Sequence, residues 1–188
     1  MNPDDIAIVG LACRFPGGAG LGEFWRALRD GREAAGFTVG SADFDAEFFD
    51  VSPREACAMD PRQRLALELT WELFEDALIV PETVRAHNIS VHLGAMNDDY
   101  SFLTLRGAPE NVDYCSFAGV SRAMIANRVS YAFALQGPSM TVDSGQSSSL
   151  LVVHLACEGL RAGTSVLAIA GGIHLNVDRK STRLNSSH

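Results

Sequence analysis

The residues best suited to chemistry lie in one stretch, TVDSGQSSSLLVVHLA, Thr141 to Ala156. A short apolar strand runs into a glycine-containing turn, and the turn runs into an apolar helix. Enzymes commonly mount a nucleophile at such a junction. Here the tip is Gln146, whose carboxamide donates and accepts hydrogen bonds but cannot attack a carbonyl. The run Gly145-Gln146-Ser147-Ser148-Ser149 departs from the GxSxG nucleophile elbow of α/β-hydrolases at its last position, where Ser149 replaces glycine. On that reading Ser147 is the nucleophile and needs a later acid and histidine. His154, His174 and His188 follow it; His154 lies down the same helix, and neither His174 nor His188 has a convincing acidic orienter. The plain structural alternative makes Ser147–Ser149 the first helical turn, with hydroxyls capping free N–H groups.

Other chemistries fare worse. Gly17–Gly22 (GGAGLG) hints at a phosphate loop, but Glu23 breaks GxGxxG and no Gly-Lys-Ser/Thr follows. His87, His92, His154 and His174 have no HExxH or similar ligand spacing, so no metal is expected. His154 lies eight residues beyond Gln146, down the helix and away from its start. Cys13, Cys57, Cys115 and Cys157 form no CxxC pair and read as free thiols in a reducing cytosol.

The elements that must position the turn follow from pattern. Ile6–Ala12 (IAIVGLA) is a continuous apolar run, the mark of a strand buried on both faces. LGEFWRALRDG predicts a helix with Gly31 just past its end. SPRE, Ser52–Glu55, is a capping box with proline at the first helical position. Asp60 and Pro61 open a second helix, in which Leu65, Leu69 and Leu73 recur at four-residue spacing. NISVHLGA alternates as a strand. VSRAMIANRVSYAFAL, Val120–Leu135, predicts a helix ended by Gly137-Pro138. SMTVD is a strand, SSSLLVVHLACEGLRAG a helix, and SVLAIAGGIHLNV a further buried strand or pair. This alternation predicts an α/β fold with a mostly parallel sheet flanked by helices.

The 188 residues suffice for one domain with a core, and 47% hydrophobic with 20% charged residues is a globular balance. A formal net charge of -8 gives no electrostatic case for nucleic acid or an anionic membrane surface. No apolar run is long enough to span a bilayer, and MNPDDIAIVG is not a signal peptide. The segment 178–188 (DRKSTRLNSSH) has one large apolar residue, Leu184, and no periodicity. It reads either as a solvated, disordered tail or as a non-native one, since 179–188 (RKSTRLNSSH) resembles translated vector or adaptor sequence, and the domain segment is expected to occupy 1–177.

Four blocks resemble the ketosynthase domain of modular type I polyketide synthases, a β-ketoacyl synthase family. They are IAIVGLACRFPGG, FDAEFFDVSPREACAMDPRQRLALELTWELFEDA, IANRVSYAFALQGPSMTVDSGQSSSL and LAIAGG, in family order. The resemblance implies a thiolase-like layered α/β fold, of which this chain is the first half. Condensing members read Asp-Thr-Ala-Cys-Ser-Ser-Ser where this chain reads Asp143-Ser144-Gly145-Gln146-Ser147-Ser148-Ser149. Gln146 therefore stands at the position of the acyl-accepting cysteine. That is similar to the glutamine (KSQ) subclass of loading modules, which decarboxylate malonyl-type units to make a starter.

The chemistry is consistent with that implication. Condensation needs a thiolate to hold the acyl chain, and Gln146 cannot form a thioester. Decarboxylation needs only a donor for the enolate oxygen, which the Gln146 carboxamide and the helix start at Gly145–Ser147 could supply. The family's two catalytic histidines belong to blocks of the second half that this chain lacks. The resemblance further implies no bound cofactor and a substrate carried on the phosphopantetheine of an acyl carrier protein. It implies an acyltransferase partner in the same synthase, a cytoplasmic location, and a homodimer with Ser139–Asp143 near its two-fold. Chain-length factors of type II systems also place glutamine here, so a non-catalytic partner subunit stays open as an alternative.

Overall fold

The structure is a computed structural model that describes residues 5–15, 20–32, 44–105 and 114–175. In chain order its elements are α1 (Leu21–Arg29), α2 (Pro53–Ala58), α3 (Pro61–Asp76), α4 (Pro81–Val84), β1 (Ile89–Gly94), α5 (Asp99–Leu105), α6 (Tyr114–Val120), α7 (Met124–Ala132), β2 (Ser139–Val142), α8 (Ser148–Arg161) and β3 (Leu167–Gly172). The three strands form a parallel sheet in the order β2-β1-β3.

Local chemistry explains where the helices begin. The Ser52 side chain accepts the Glu55 N–H at 3.2 Å, and Pro53 supplies the first turn of α2. The other half of the expected capping box does not form. Glu55 instead turns its carboxylate to Arg128 Nη1 at 2.6 Å, an ion pair with the more buried α7. Asp60 Oδ1 caps α3 by accepting the Arg62 N–H at 2.8 Å. Gly31 follows α1 with φ +61, as its place past the helix end predicts.

β1 is the centre of the fold. All six of its residues are buried, and side chains alternate across the sheet. Ile89, Val91 and Leu93 join the main core with Leu67 and Phe74 of α3 and Ile125 and Val129 of α7. Phe74 meets Phe133 edge-on at 5.2 Å. Ser90, His92 and Gly94 therefore face the other way, toward α8, whose buried residues Ser148, Val152 and Ala156 repeat every fourth position. Opposite faces are what the general right-handed rule asks of β1–α7–β2 and β2–α8–β3 crossovers that leave β1 in the middle of the sheet.

Several expectations need correction. Ile6–Ala12 is not a strand buried on both faces. It has no ladder partner among the described residues, and Ile8 is 79% exposed. An apolar run needs neighbouring strands to become part of a sheet. Here the segment and Arg14 just after it are tied to α3, by the Leu11 N–H to Asp76 Oδ2 at 2.8 Å and by Arg14 to Glu68 and Glu72. The last apolar run forms one strand, β3, rather than a fully buried one or a pair. β3 lies at the sheet edge, and Val166 just before it is 71% exposed. The expected helix Val120–Leu135 is split, because the Met124 N–H bonds back to the Ser121 carbonyl at 3.0 Å and Arg122 is drawn into ion pairs. The short helices α4, α5 and α6 lacked a readable period. The tail 178–188 and Gly17–Ala19 lie outside the described residues.

Candidate functional site

The strand–turn–helix read from the sequence is present. β2 ends at Val142, Asp143–Ser147 form the turn, and α8 starts at Ser148. Two glycines set how closely the start of α8 approaches the sheet. A Cβ on Gly94 would lie 2.7 Å from the carbonyl carbon of Ser148, and one on Gly172 would lie 2.6 Å from Ser149 Cβ. The site thus sits outside the carboxyl ends of parallel strands, where open α/β sheets generally place ligands.

Within the turn, Gly145 has φ +69, the left-handed region that suits glycine. Its N–H donates to Asp143 Oδ1 at 3.0 Å. Gln146 follows at the tip and is exposed, and its carboxamide has no hydrogen-bond partner among the described residues. Below it lies the amino end of a 14-residue helix, with its positive dipole end.

The serines divide their roles differently from the expectation. Ser147 does not cap α8: its hydroxyl donates back to the Ser144 carbonyl at 3.0 Å and lies 3.0 Å from Ser144 Oγ. The buried Ser148 staples the turn instead. Its hydroxyl donates to the Gly145 carbonyl at 2.6 Å and accepts the Ser144 N–H at 3.0 Å. Among the described residues no histidine bonds to Ser147, so the arrangement of a serine hydrolase is not assembled here. His154 lies exposed on α8.

Asp143 and its partners were missed as site residues by sequence reasoning. Arg122 donates to both Asp143 and Asp98. The Gly145 N–H, and after it Arg122, hold the Asp143 carboxyl below the usual carboxylate range. The Asp98 carboxylate, as hydrogen-bond acceptor, pushes the Arg122 guanidinium up. Arg122 and Asp98 are 24 positions apart on different loops, and no motif or period links them. No group of three or more His, Cys, Asp or Glu among the described residues could hold a metal ion.

A strand–turn–helix with a buried serine staple and a glycine-lined seat can be compared directly with known proteins. The family description "Beta-ketoacyl synthase, N-terminal domain" matches residues 3–39 and 33–187. This chain belongs to the β-ketoacyl synthase family. Polyketide synthase GfsA of Streptomyces halstedii is 46% identical over a 210-residue alignment that covers 97% of this chain and 3% of that protein. Erythronolide synthase EryA3 of Saccharopolyspora erythraea is 42% identical over 201 residues, 90% of this chain and 6% of that protein.

Solved ketosynthases have the same fold. The oxazolomycin ketosynthase domain OzmH KS7 of Streptomyces albus JA3453 superposes with a TM-score of 0.81 at 32% identity, covering 93% of this chain and 35% of that chain. The ketosynthase from module 6 of the bacillaene synthase of Bacillus subtilis 168 gives a TM-score of 0.81 at 30% identity, covering 95% and 32%. The chain therefore spans about a third of these ketosynthases and a few per cent of the synthases it matches. It represents the N-terminal half of a modular type I ketosynthase domain, with the thiolase-like α/β architecture of that domain. No helix among the described residues is long and apolar enough to cross a membrane.

Proposed function

We propose that this ketosynthase segment comes from a loading-module domain of the glutamine class, which decarboxylates malonyl- or methylmalonyl-acyl carrier protein to make the starter unit. The observation that carries the reading is the exposed Gln146 at the tip of the β2–α8 turn, where condensing relatives have cysteine. A carboxamide there cannot accept an acyl chain. It can donate a hydrogen bond beside a helix amino end, in a place suited to a developing negative charge.

In the reaction the bond between the α-carbon and the carboxylate carbon breaks, and its electron pair becomes the enolate of the thioester. Carbon dioxide leaves, and protonation of the α-carbon gives the acetyl or propionyl thioester. Gln146 stabilises the enolate oxygen, with Gly145 and Ser147 shaping the turn that presents it. The substrate arrives on the phosphopantetheine of an acyl carrier protein, loaded by an acyltransferase of the same cytoplasmic synthase, and no other cofactor takes part. The complete domain works as a homodimer.

The test is Gln146→Ala in a complete domain carrying this sequence, followed by carbon dioxide release from malonyl- and methylmalonyl-carrier protein. Loss of one oxyanion donor costs about 10²–10³ in rate, and residual activity from the backbone is expected. Gln146→Cys should gain acylation by acyl thioesters and labelling by cerulenin, detected by intact mass. A wild-type rate in Gln146→Ala refutes the role of the carboxamide.

A further inference from the structure

Three loops meet near the carboxyl ends of β1 and β2. They are Ala95–Asp98 after β1, Ser121–Ala123 before α7, and Asp143–Ser147 after β2. Arg122 joins them. Its Nε donates to Asp98 Oδ1 at 3.1 Å, its Nη2 to Asp98 Oδ2, and its Nη1 to Asp143 Oδ2. Asp143 passes the link on, since its Oδ1 accepts the N–H of Gly145, the residue before Gln146. The other end is anchored in the interior. Arg62, buried beside Asp60, donates from Nη1 to the carbonyls of Met96 at 3.0 Å and Asn97 at 2.8 Å, the two residues before Asp98. Polar contacts and short pieces of backbone therefore run from the start of α3 to the Gln146 turn.

We infer that Arg122 is a positioning residue for Gln146, a clamp that fixes the exposed turn to the loop after β1, which Arg62 anchors. The inference rests on the decarboxylase reading of the site. Geometry separates this role from substrate binding. The guanidinium spends its fork on two carboxylates of this chain, so it is not a free cation awaiting a substrate carboxylate. A lysine offers a point charge on a flexible stem and cannot reproduce the fork toward Asp98 while reaching Asp143. Without the cation, Asp98 and Asp143 become two like charges on neighbouring loops. Their repulsion acts on Asp143 and so on the Gly145 N–H and the tip. Displacements of about 1 Å at a reacting centre can cost on the order of 10² in rate.

The experiment uses a complete domain carrying this sequence, in wild type and in Arg122→Gln, Arg122→Lys, Asp143→Asn and the Gln/Asn double variant. Decarboxylation gives kcat and KM, and hydrogen exchange is followed across Thr141–Ser148, α3 and β1. Arg122→Gln should lower kcat about tenfold or more with KM little changed, and should speed exchange in the turn while sparing α3 and β1. Arg122→Lys should recover only part of the loss. The double variant should be no slower than Arg122→Gln, because both changes cut one link. Asp143→Asn keeps an oxygen for the Gly145 N–H but removes the ion pair, so it tests the same link if Arg122→Gln does not fold. If the wild type decarboxylates and these variants match it in kcat and exchange, the clamp is refuted. Faster exchange spread equally over α3 and β1 also refutes it, by assigning Arg122 a general stabilising role. If the wild type releases no carbon dioxide, the proposed function fails, and the exchange data alone decide the clamp.

Discussion

Replacing Gly94 by alanine tests whether the site depends on the close seat of α8. The new Cβ would lie 2.7 Å from the Ser148 carbonyl carbon and 2.9 Å from its oxygen. Carbon atoms at rest sit about 3.5 Å or more apart, so the start of α8 must retreat by about 0.8 Å. Backbone cannot rotate away as a long side chain can, and the serine staple passes the movement to Gly145 and Gln146. Overpacking of this kind costs about 1–3 kcal/mol in a packed interior, and a shift of nearly 1 Å at the reacting group costs on the order of 10² in rate. Urea denaturation and carbon dioxide release from carrier-bound malonate, both on a complete domain, measure the two effects. A variant with wild-type stability and wild-type rate would show that the seat is not tight and would refute the argument.

Gly145→Ala provides a contrast: no atom lies within 4 Å of the new Cβ, yet φ is +69, so the loss should come from backbone strain, about 1–2 kcal/mol by denaturation. His92 is buried on the α8 face of β1 with its Nδ1 unpartnered, and burial lowers its pKa below the usual 6.5. The unfolded chain therefore takes up the proton first. Stability should be fully present above about pH 6.5 and decline as pH falls below it toward the lowered folded value, and His92→Val should remove that part of the slope in a pH series of melts. Residues 1–188 alone should self-associate, because Ile8, Trp25, Leu150 and Val166 are each more than half exposed. A monodisperse, cooperatively melting monomer by sedimentation would contradict this.

What the sequence revealed and what it concealed divide along a physical line. The caps at Ser52 and Asp60 and the strand–turn–helix around Gln146 depend on residues adjacent in the chain, so their types and order expose them. Ile6–Ala12 misled because a continuous apolar run reports a preference for burial, and burial as a strand needs ladder partners that are not present among the described residues. The break at Ser121 was hidden for a related reason. Arg122 fits a helix by propensity, and only its contacts with Asp98 and Asp143 draw it elsewhere. Ser147 looked like a cap by position, whereas Ser148, facing Gly94, is the serine that burial makes useful.

The central place of β1 also sets a timetable. Its first neighbour, β2, starts at Ser139, and its second, β3, starts at Leu167. Asn88, at the entrance of β1, donates from Nδ2 to the Thr164 carbonyl at 2.6 Å across 76 positions of chain. At roughly 5–20 residues per second on the ribosome, that partner follows about 4–15 s after Asn88 itself. Helical turns form in microseconds or less, so α3 and α7 can be in place while one edge of β1 still has open N–H and C=O groups. In this arrangement the slow step is strand pairing across long separations, as expected where loop closure precedes the contacts that reward it. For those seconds the edge of β1 that will receive β3 is a template for any other extended chain nearby.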